Sequence, residues 1–417
     1  MNYTIKAGVR SGSVTIPSSK SYAHRQLICA ALSDTDTDIV CDGFSKDIIA
    51  TAECIGALGV KTEFVDNIIR IKHGQGTEGE AVLPCNESGS TLRFLLPVVG
   101  AMGINANFKM ADGLAARPVD DLLDVMAAHN VNITKGNNTI SLQGKMCAGE
   151  FVIPGNVSSQ YISGLLMALP LLEGDSRLVI TGNIESRDYI KITEDTLREF
   201  GIRFEQSDNE YTVPGNQTFR SRPKMTVERD WSNAAFFLCM GALTENGITL
   251  EDMPLKSSQG DREIILILEK IGADIKIRGN AITVKRKELR ALTVDASTIP
   301  DLVPTIAALA SLCEGTTNII NARRLRIKES DRLASTSDML KALGADIIQL
   351  EDGLVITGKK ELVGGIVESC NDHRIAMAAA VAACGCIGDV TVAGSECIAK
   401  SYPKFWEHLE GLKLDNE

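Results

Sequence analysis

The segment Ser18-Ser19-Lys20-Ser21-Tyr22-Ala23-His24-Arg25 packs serine hydroxyls, a lysine and an arginine into eight residues. It follows the alternating run Ser13-Val14-Thr15-Ile16-Pro17 and leads into the apolar stretch Leu27-Ile28-Cys29-Ala30-Ala31-Leu32. A strand, a hydroxyl-rich turn and a helix start together offer backbone N–H groups, hydroxyls and two cations to one anion. Phosphate fits best, since Arg meets its oxygens with a bidentate fork and Lys adds a compact charge. The segment has no glycine-rich loop and is not a Walker-type P-loop. By itself it reads first as a Ser-capped helix with a solvated Lys and Arg.

Comparable clusters recur. They are Ser88-Gly89-Ser90-Thr91-Leu92-Arg93, Asn156-Val157-Ser158-Ser159-Gln160, Ala116-Arg117-Pro118 and Ser186-Arg187-Asp188-Tyr189. Further along come Lys328-Glu329-Ser330-Asp331-Arg332, Asn371-Asp372-His373-Arg374 and Ala399-Lys400-Ser401. Each has a plain structural reading. Ser158-Ser159 and Ser186 serve as N-caps, Gly89 permits tight helix packing, and Arg117 precedes a first-turn Pro. Residues 328–332 form a solvated charged face, Asp372 is a cap beside an idle His, and Asp301 after Ile299-Pro300 reads first as an N-cap. The plain readings do not account for hydroxyl, Lys and Arg concurring at so many equivalent places.

The elements that position these clusters repeat. A helix end, a Gly or Asn break and an alternating strand recur at Gly59, Asn130, Gly201, Gly272 and Gly344, spaced by 71, 71, 71 and 72 residues, with a weaker sixth copy at Gly411. Gly or Asn is the expected left-handed residue past a helix end. Turns at Asp66-Asn67, Gly279-Asn280 and Asp352-Gly353 fold the following strands into hairpins. A more apolar first helix starts near Lys20, Ser88, Val157, Asp230, Asp301 and Asp372, and a second near Asp47, Arg117, Asp188, Asp261, Asp331 and Lys400. The chain thus reads as six mixed α/β units, each with two helices and roughly four strands, able to pack as two groups of three. If the units stack alike, many positive helix ends point the same way, each worth about 0.3–1 kcal/mol to a nearby anion.

Composition narrows the partners. The chain has 417 residues, so two domains are expected. A net charge of −11 argues against nucleic acid or an anionic membrane surface, and confines any anion site to chosen Lys and Arg in a concave place. Eleven Cys, with no Cys-x-x-Cys, fit buried thiols of a reducing cytoplasm better than disulfides or zinc. The five His are dispersed, so no metal is expected, and neither a signal peptide nor a membrane span is read.

Taken in order, six of these motifs resemble the 5-enolpyruvylshikimate-3-phosphate synthase family, within the enolpyruvyl transferases. They are Ser19-Lys20-Ser21-x-x-x-Arg25, Ser88-Gly89-Ser90-Thr91-x-Arg93, Ser158-Ser159-Gln160, Arg326-x-Lys328-Glu329-Ser330-Asp331-Arg332, Asn371-Asp372-His373-Arg374 and Ala399-Lys400-Ser401-Tyr402-Pro403. The resemblance implies an α/β (α+β) fold of two similar domains, each an inverse α/β barrel of three βαβαββ-type repeats, with a cleft between them. It implies a discontinuous domain of 1–15 plus 229–417, a second domain of 16–228, and hinges near 13–18 and 226–229. The repeat itself does not reveal that crossover. The implied reaction moves the enolpyruvyl group of phosphoenolpyruvate to the 5-hydroxyl of shikimate 3-phosphate, releasing phosphate. It runs by addition and elimination through a tetrahedral intermediate, without a cofactor, in a cytoplasmic monomer that serves aromatic amino-acid biosynthesis.

Carried over by motif, Lys20, Ser21, Arg25, Ser158, Ser159, Gln160, Ser186, Tyr189, Asp301 and Lys328 would hold shikimate 3-phosphate. Lys20, Gly89, Arg93, Arg117, Gln160, Arg332, Arg374 and Lys400 would hold phosphoenolpyruvate. Asp301 would act as the base on the attacking hydroxyl. Glu329, with Lys20 or Lys400 as alternatives, would protonate the methylene carbon. The resemblance also implies an open free form that closes on its ligands. Two positions depart from the pattern, with Glu87 and Arg324 standing where the family often has Asn.

Two rivals remain at this stage. The sibling transferase acting on UDP-N-acetylglucosamine usually carries a reactive Cys five residues before the Arg-Pro pair, where this chain has Asp112. A non-enzymatic repeat clamp or RNA binder is opposed by the acidic balance and scarce aromatics.

Overall fold

The computed structural model describes residues 1–73 and 79–415. The chain gathers into two compact units, one of Met1–Pro17 with the chain from Glu228 onward, the other of Ser18–Val227.

One sheet plan governs both units. In Ala81–Asn86, Ala106–Met110, Thr139–Gln143 and Asn132–Lys135, taken in spatial order, the first two strands are parallel and the others antiparallel. The parallel pair is joined through the helix Gly89–Met102, as a parallel crossover requires, and the antiparallel pair is a hairpin. Glu150–Pro154, Ser176–Thr181, Glu210–Val213 and Glu205–Ser207 repeat the plan, as do Thr293–Asp295, Thr316–Ile320, Leu354–Thr357 and Asp346–Gln349.

The other three sheets complete the plan with borrowed strands. Lys224–Thr226, from the end of the Ser18–Val227 unit, lies parallel to Thr37–Val40. Arg10–Thr15 lies parallel to Ile248–Glu251 in the other unit and pairs on its far side with Lys413–Leu414. Among the described residues the sixth repeat has no hairpin of its own: Asn2–Ile5 takes that place against Val390–Ala393. Gly411 accordingly has φ −67°, not the left-handed value expected of a sixth copy. Gly59, Asn130, Gly201, Gly272 and Gly344 do have the expected positive φ, between 71° and 102°.

The first helix of each repeat forms the core, and the sheets lie outside with alternate side chains exposed. Every residue of His373–Ala383 is buried, and its alanines allow close packing on Val303–Ala310 and Trp231–Gly241. In the other unit, Gly164 lets Ser159–Ala168 close on Gly89–Met102, since an added Cβ would sit 2.3 Å from the Arg93 carbonyl. Burying the first helices leaves their N-termini, with the polar motifs, at one end of each repeat.

Second helices depart more from expectation. Arg117 does not open one: it lies between Asp112–Ala115 and Asp120–Ala128, because Pro118 breaks the pattern. Lys400 closes a 3-10 turn, Ser395–Lys400, and the helix begins only at Phe405 after Pro403.

Candidate functional site

In the Ser18–Val227 unit, Lys20 is the first residue of the helix Lys20–Ala31, and its Nζ lies 2.9 Å from Asp47 Oδ2. Arg25, one and a half turns on, is buried. Its Nε donates to Thr193 Oγ1 (2.7 Å), Nη1 to the Ser21 carbonyl (2.6 Å), and Nη2 to Ser163 Oγ (3.2 Å) and the Tyr189 carbonyl (2.9 Å). One of these bonds stays within its own helix and three brace it against Ser159–Ala168 and Arg187–Glu199, so that among the described residues one of the five N–H groups is left for a ligand. Burial depresses its proton affinity, and Phe94 lies 4.7 Å beneath the guanidinium.

Around Gly89 two more guanidiniums converge. A Cβ there would lie 2.7 Å from Arg93 Nη1 and 2.9 Å from Arg117 Nη1. Arg93 donates to Gln160 Oε1 (2.9 Å) and the Pro118 carbonyl (2.8 Å), and Gln160 Nε2 donates to Ser90 Oγ (2.9 Å). Arg117 Nε is buried with no hydrogen-bond partner among the described residues. The missing side chain therefore makes room for two cations at a helix N-terminus. Packing is secured instead by Gly164.

Ser158 caps Ser159–Ala168, accepting from the Gln160 N–H (3.3 Å). Ser186 is not an ordinary cap. Its φ is 53°, its side chain makes no cap bond, and it is almost wholly buried. Cys370 and Asn371, with φ 52° and 54°, are likewise left-handed just before a helix start. Such non-glycine residues store strain of about 1–3 kcal/mol each, a feature enriched at ligand sites.

In the other unit, Arg332 is the hub. Its Nε donates to Asp372 Oδ2, Nη1 to Asp301 Oδ1 and Nη2 to Glu329 Oε2, each at 2.7 Å. Burial opposes its charge, but the three carboxylates prevail and hold its pKa well above the ordinary value. Arg374 reaches Asp301 through Nη2–Oδ2 (3.1 Å) and Nη1 to its carbonyl (3.1 Å). Asp301 is not an N-cap: it sits within the 3-10 turn Pro300–Leu302. Although burial favours its neutral form, Arg374, Lys328 and Arg332 hold its carboxyl well below the usual range. Lys328 is partly buried, and desolvation lowers its pKa to about 8, helped by Arg324 and Arg332 against Asp301. At its divergent position Arg324 adds its charge to that depression of Lys328. Lys400 Nζ donates to the Asn371 carbonyl (2.7 Å).

Each unit thus assembles part of the expected set: Lys20, Ser21, Arg25, Gly89, Arg93, Arg117, Ser158, Ser159, Gln160, Ser186 and Tyr189 in one, Asp301, Lys328, Glu329, Arg332, Arg374 and Lys400 in the other. Sequence reasoning missed the carboxylate frame. Asp47 holds Lys20, Asp372 pairs with Arg332 besides capping its helix through the Arg374 N–H (2.9 Å), and Asp261 is buried close to that cluster. The sequence marks Asp47, Asp261 and Asp372 only as helix starts, and which cation each faces depends on packing between repeats. Asp112, at the sibling family's Cys position, accepts from Asn138 Nδ2 (2.5 Å) and opens a short surface helix.

A family model for EPSP synthase (3-phosphoshikimate 1-carboxyvinyltransferase) matches residues 6–409. A 3-phosphoshikimate 1-carboxyvinyltransferase of Clostridium acetobutylicum is 43% identical, covering 97% of this chain and 95% of its own. That of Clostridium novyi is 42% identical over 96% of this chain and 94% of its own. The solved EPSP synthase of Acinetobacter baumannii superposes with a TM-score of 0.83 at 26% identity, covering 99% of this chain and 98% of its own. With its six motifs, its repeated sheets and its nearly full-length relatives in agreement, the chain belongs to the EPSP synthase (3-phosphoshikimate 1-carboxyvinyltransferase) family.

Proposed function

We propose that this chain transfers the enolpyruvyl group of phosphoenolpyruvate to the 5-hydroxyl of shikimate 3-phosphate, releasing phosphate, with the residues of its two units in distinct roles. The observation that carries the residue assignment is the gap at Gly89, where Arg93 and Arg117 flank a helix N-terminus. A small dianion such as phosphoenolpyruvate suits that place, since N–H groups and two forks meet its oxygens with no intervening side chain. Lys20, Gln160, Arg332, Arg374 and Lys400 complete its binding. Ser21, Ser158, Ser159, Gln160, Ser186, Tyr189 and Lys328 bind the acceptor, with Lys20 and the remaining N–H of Arg25.

Asp301, kept ionised by its cations, accepts the hydrogen bond of the 5-hydroxyl. Its weak basicity places proton removal late, as the new C–O bond forms at C2 of phosphoenolpyruvate. Glu329 in its protonated form, reached against the pull of Arg332, delivers a proton to C3, giving the tetrahedral intermediate. The carboxylate so formed takes a proton back from C3, the C2–O bond to phosphate breaks with its electron pair leaving on phosphate, and the double bond is restored. The roles are divided between the units, and we propose hinges near 13–18 and 226–229, where the chain passes from one unit to the other. We propose small anionic substrates for it, and a monomer in the cytoplasm. Among the described residues no helix is long and apolar enough to cross a membrane.

The test is phosphate release from phosphoenolpyruvate with each acceptor. Release with shikimate 3-phosphate and not with UDP-N-acetylglucosamine is expected, whereas silence with both would favour a non-catalytic clamp. Asp301→Asn and Glu329→Gln should each lower kcat by about 10²–10⁴-fold. Near-normal turnover in either variant would remove its assigned role.

A further inference from the structure

Beneath the Lys20 and Gly89 helix starts lies a buried line of polar groups to which no step of the reaction has been assigned. His24 Nδ1 is 2.6 Å from Thr51 Oγ1, Thr51 Oγ1 is 2.6 Å from Thr91 Oγ1, and Thr91 Oγ1 donates to Ser88 Oγ over 2.7 Å. All four side chains are essentially inaccessible. They come from three helices and one cap: Lys20–Ala31, Lys46–Ala57, Gly89–Met102 and its N-cap Ser88.

The proton order follows from that last bond. Thr91 has one hydroxyl proton, and giving it to Ser88 makes Thr91 an acceptor towards Thr51. Thr51 then gives its own proton to Thr91 or to the Asp47 carbonyl, and with either partner it accepts from His24 Nδ1–H. That order makes the ring the Nδ1–H tautomer, and its Nε2 is buried with no hydrogen-bond partner among the described residues. Burial first, then the charges of Lys20 and Arg25, holds the imidazole pKa well below its ordinary value, so the ring stays neutral.

Both ends of this line touch substrate-binding elements. Asp47, which holds Lys20 Nζ, shares its helix with Thr51, and its carbonyl lies 3.4 Å from Thr51 Oγ1 and 3.5 Å from Thr91 Oγ1. Ser88 also accepts from the Thr91 N–H (3.3 Å) and so fixes the turn that presents Gly89. We infer that His24, Thr51 and Thr91 are positioning residues that lock the Lys20–Asp47 pair and the Gly89 turn into one register, so that the two substrate-binding starts of this unit are set together. The inference rests on the assignment of Lys20 and Gly89 to the substrates. A chain of buried hydrogen bonds suits this task, because each member's direction depends on its neighbour and a partly satisfied chain is costly.

Thr51→Val keeps the side-chain shape and removes both hydroxyl bonds. It should raise the KM of both substrates about five- to tenfold with a smaller change in kcat, and Thr51→Ser should restore both constants. In the wild-type protein, nitrogen chemical shifts of His24 should show a neutral ring protonated on Nδ1. A ring protonated on Nε2 overturns the inference whatever the variants do. Unchanged KM values in Thr51→Val overturn it too, and if that variant does not fold, Thr91→Ser against Thr91→Ala supplies the same comparison. An inactive wild-type protein would instead refute the functional assignment, while the nitrogen shifts would still report the proton order.

Discussion

At the scale of single residues, the site depends on what is absent as much as on what is present. Gly89 has no Cβ, and the space it leaves is bordered by the Nη1 atoms of Arg93 and Arg117. Those atoms are the far ends of flexible side chains, so Gly89→Ala should fold normally and push the guanidiniums aside. The expected outcome is a KM for phosphoenolpyruvate raised about tenfold, for a loss of about 1.5 kcal/mol in charge-assisted bonding, with the acceptor's KM little changed. Equal effects on both substrates in steady-state assays would contradict that placement. Lys328 offers a second handle, because its pKa is lowered to about 8 chiefly by burial. It is cationic below that pH and loses charge above it, so kcat/KM for shikimate 3-phosphate should fall as pH rises past about 8. Lys328→Arg should carry the fall out of the accessible range, and an unchanged profile would remove Lys328 from the binding set.

At the scale of elements, the helix starts of the unit from Glu228 onward are fastened by buried charge. Asp261 sits in the turn Gly260–Glu263, with Oδ2 accepting from the Ser232 hydroxyl and Oδ1 lacking a hydrogen-bond partner among the described residues. Burial first, then the charges of Asp301 and Asp230, raises its pKa to about 7 against the opposing pull of Arg374. Its folded pKa exceeds the unfolded value of about 3.9, so its contribution to stability is full below pH 4 and is lost as pH rises through about 7. Asp261→Asn removes that dependence. Relative to the parent protein it should gain about 2–4 kcal/mol between pH 4 and pH 8, read as a Tm difference that grows with pH. A constant difference would show that the carboxyl ionises normally in the fold. These helix starts were legible in the sequence as hydroxyl and Lys/Arg clusters, but the caps were less so. Ser158 and Asp372 cap as their types suggest, whereas Ser186 is left-handed and Asp301 lies inside a turn, because each is held by its surroundings rather than by its own propensity.

At the scale of the whole molecule, strand exchange along the chain decides what can stand alone. Asn2–Ile5 completes one sheet of the Glu228-onward unit, and Arg10–Thr15 sits between two strands of another. A fragment beginning at Glu228 should therefore expose the edges of Val390–Ala393 and Ile248–Glu251, leave Lys413–Leu414 unpaired and fail to fold, while a synthetic peptide of residues 1–17 should restore its far-ultraviolet dichroism. Cooperative melting of the fragment without the peptide would overturn this. The sequence by itself determined the six-fold plan, because helix ends and hairpins are written in local signals: the left-handed Gly or Asn every 71 or 72 residues, the alternating strands, the apolar first helices. It also placed the ordered motifs that mark the family. Only the tertiary structure decided which strand fills each sheet edge and which carboxylate faces each cation. Any parallel strand of suitable pattern can occupy an edge, and any buried Asp can pair with a nearby Arg. Such choices are made by packing between repeats far apart in the chain, as when Arg332 gathers Asp301, Glu329 and Asp372 around one guanidinium.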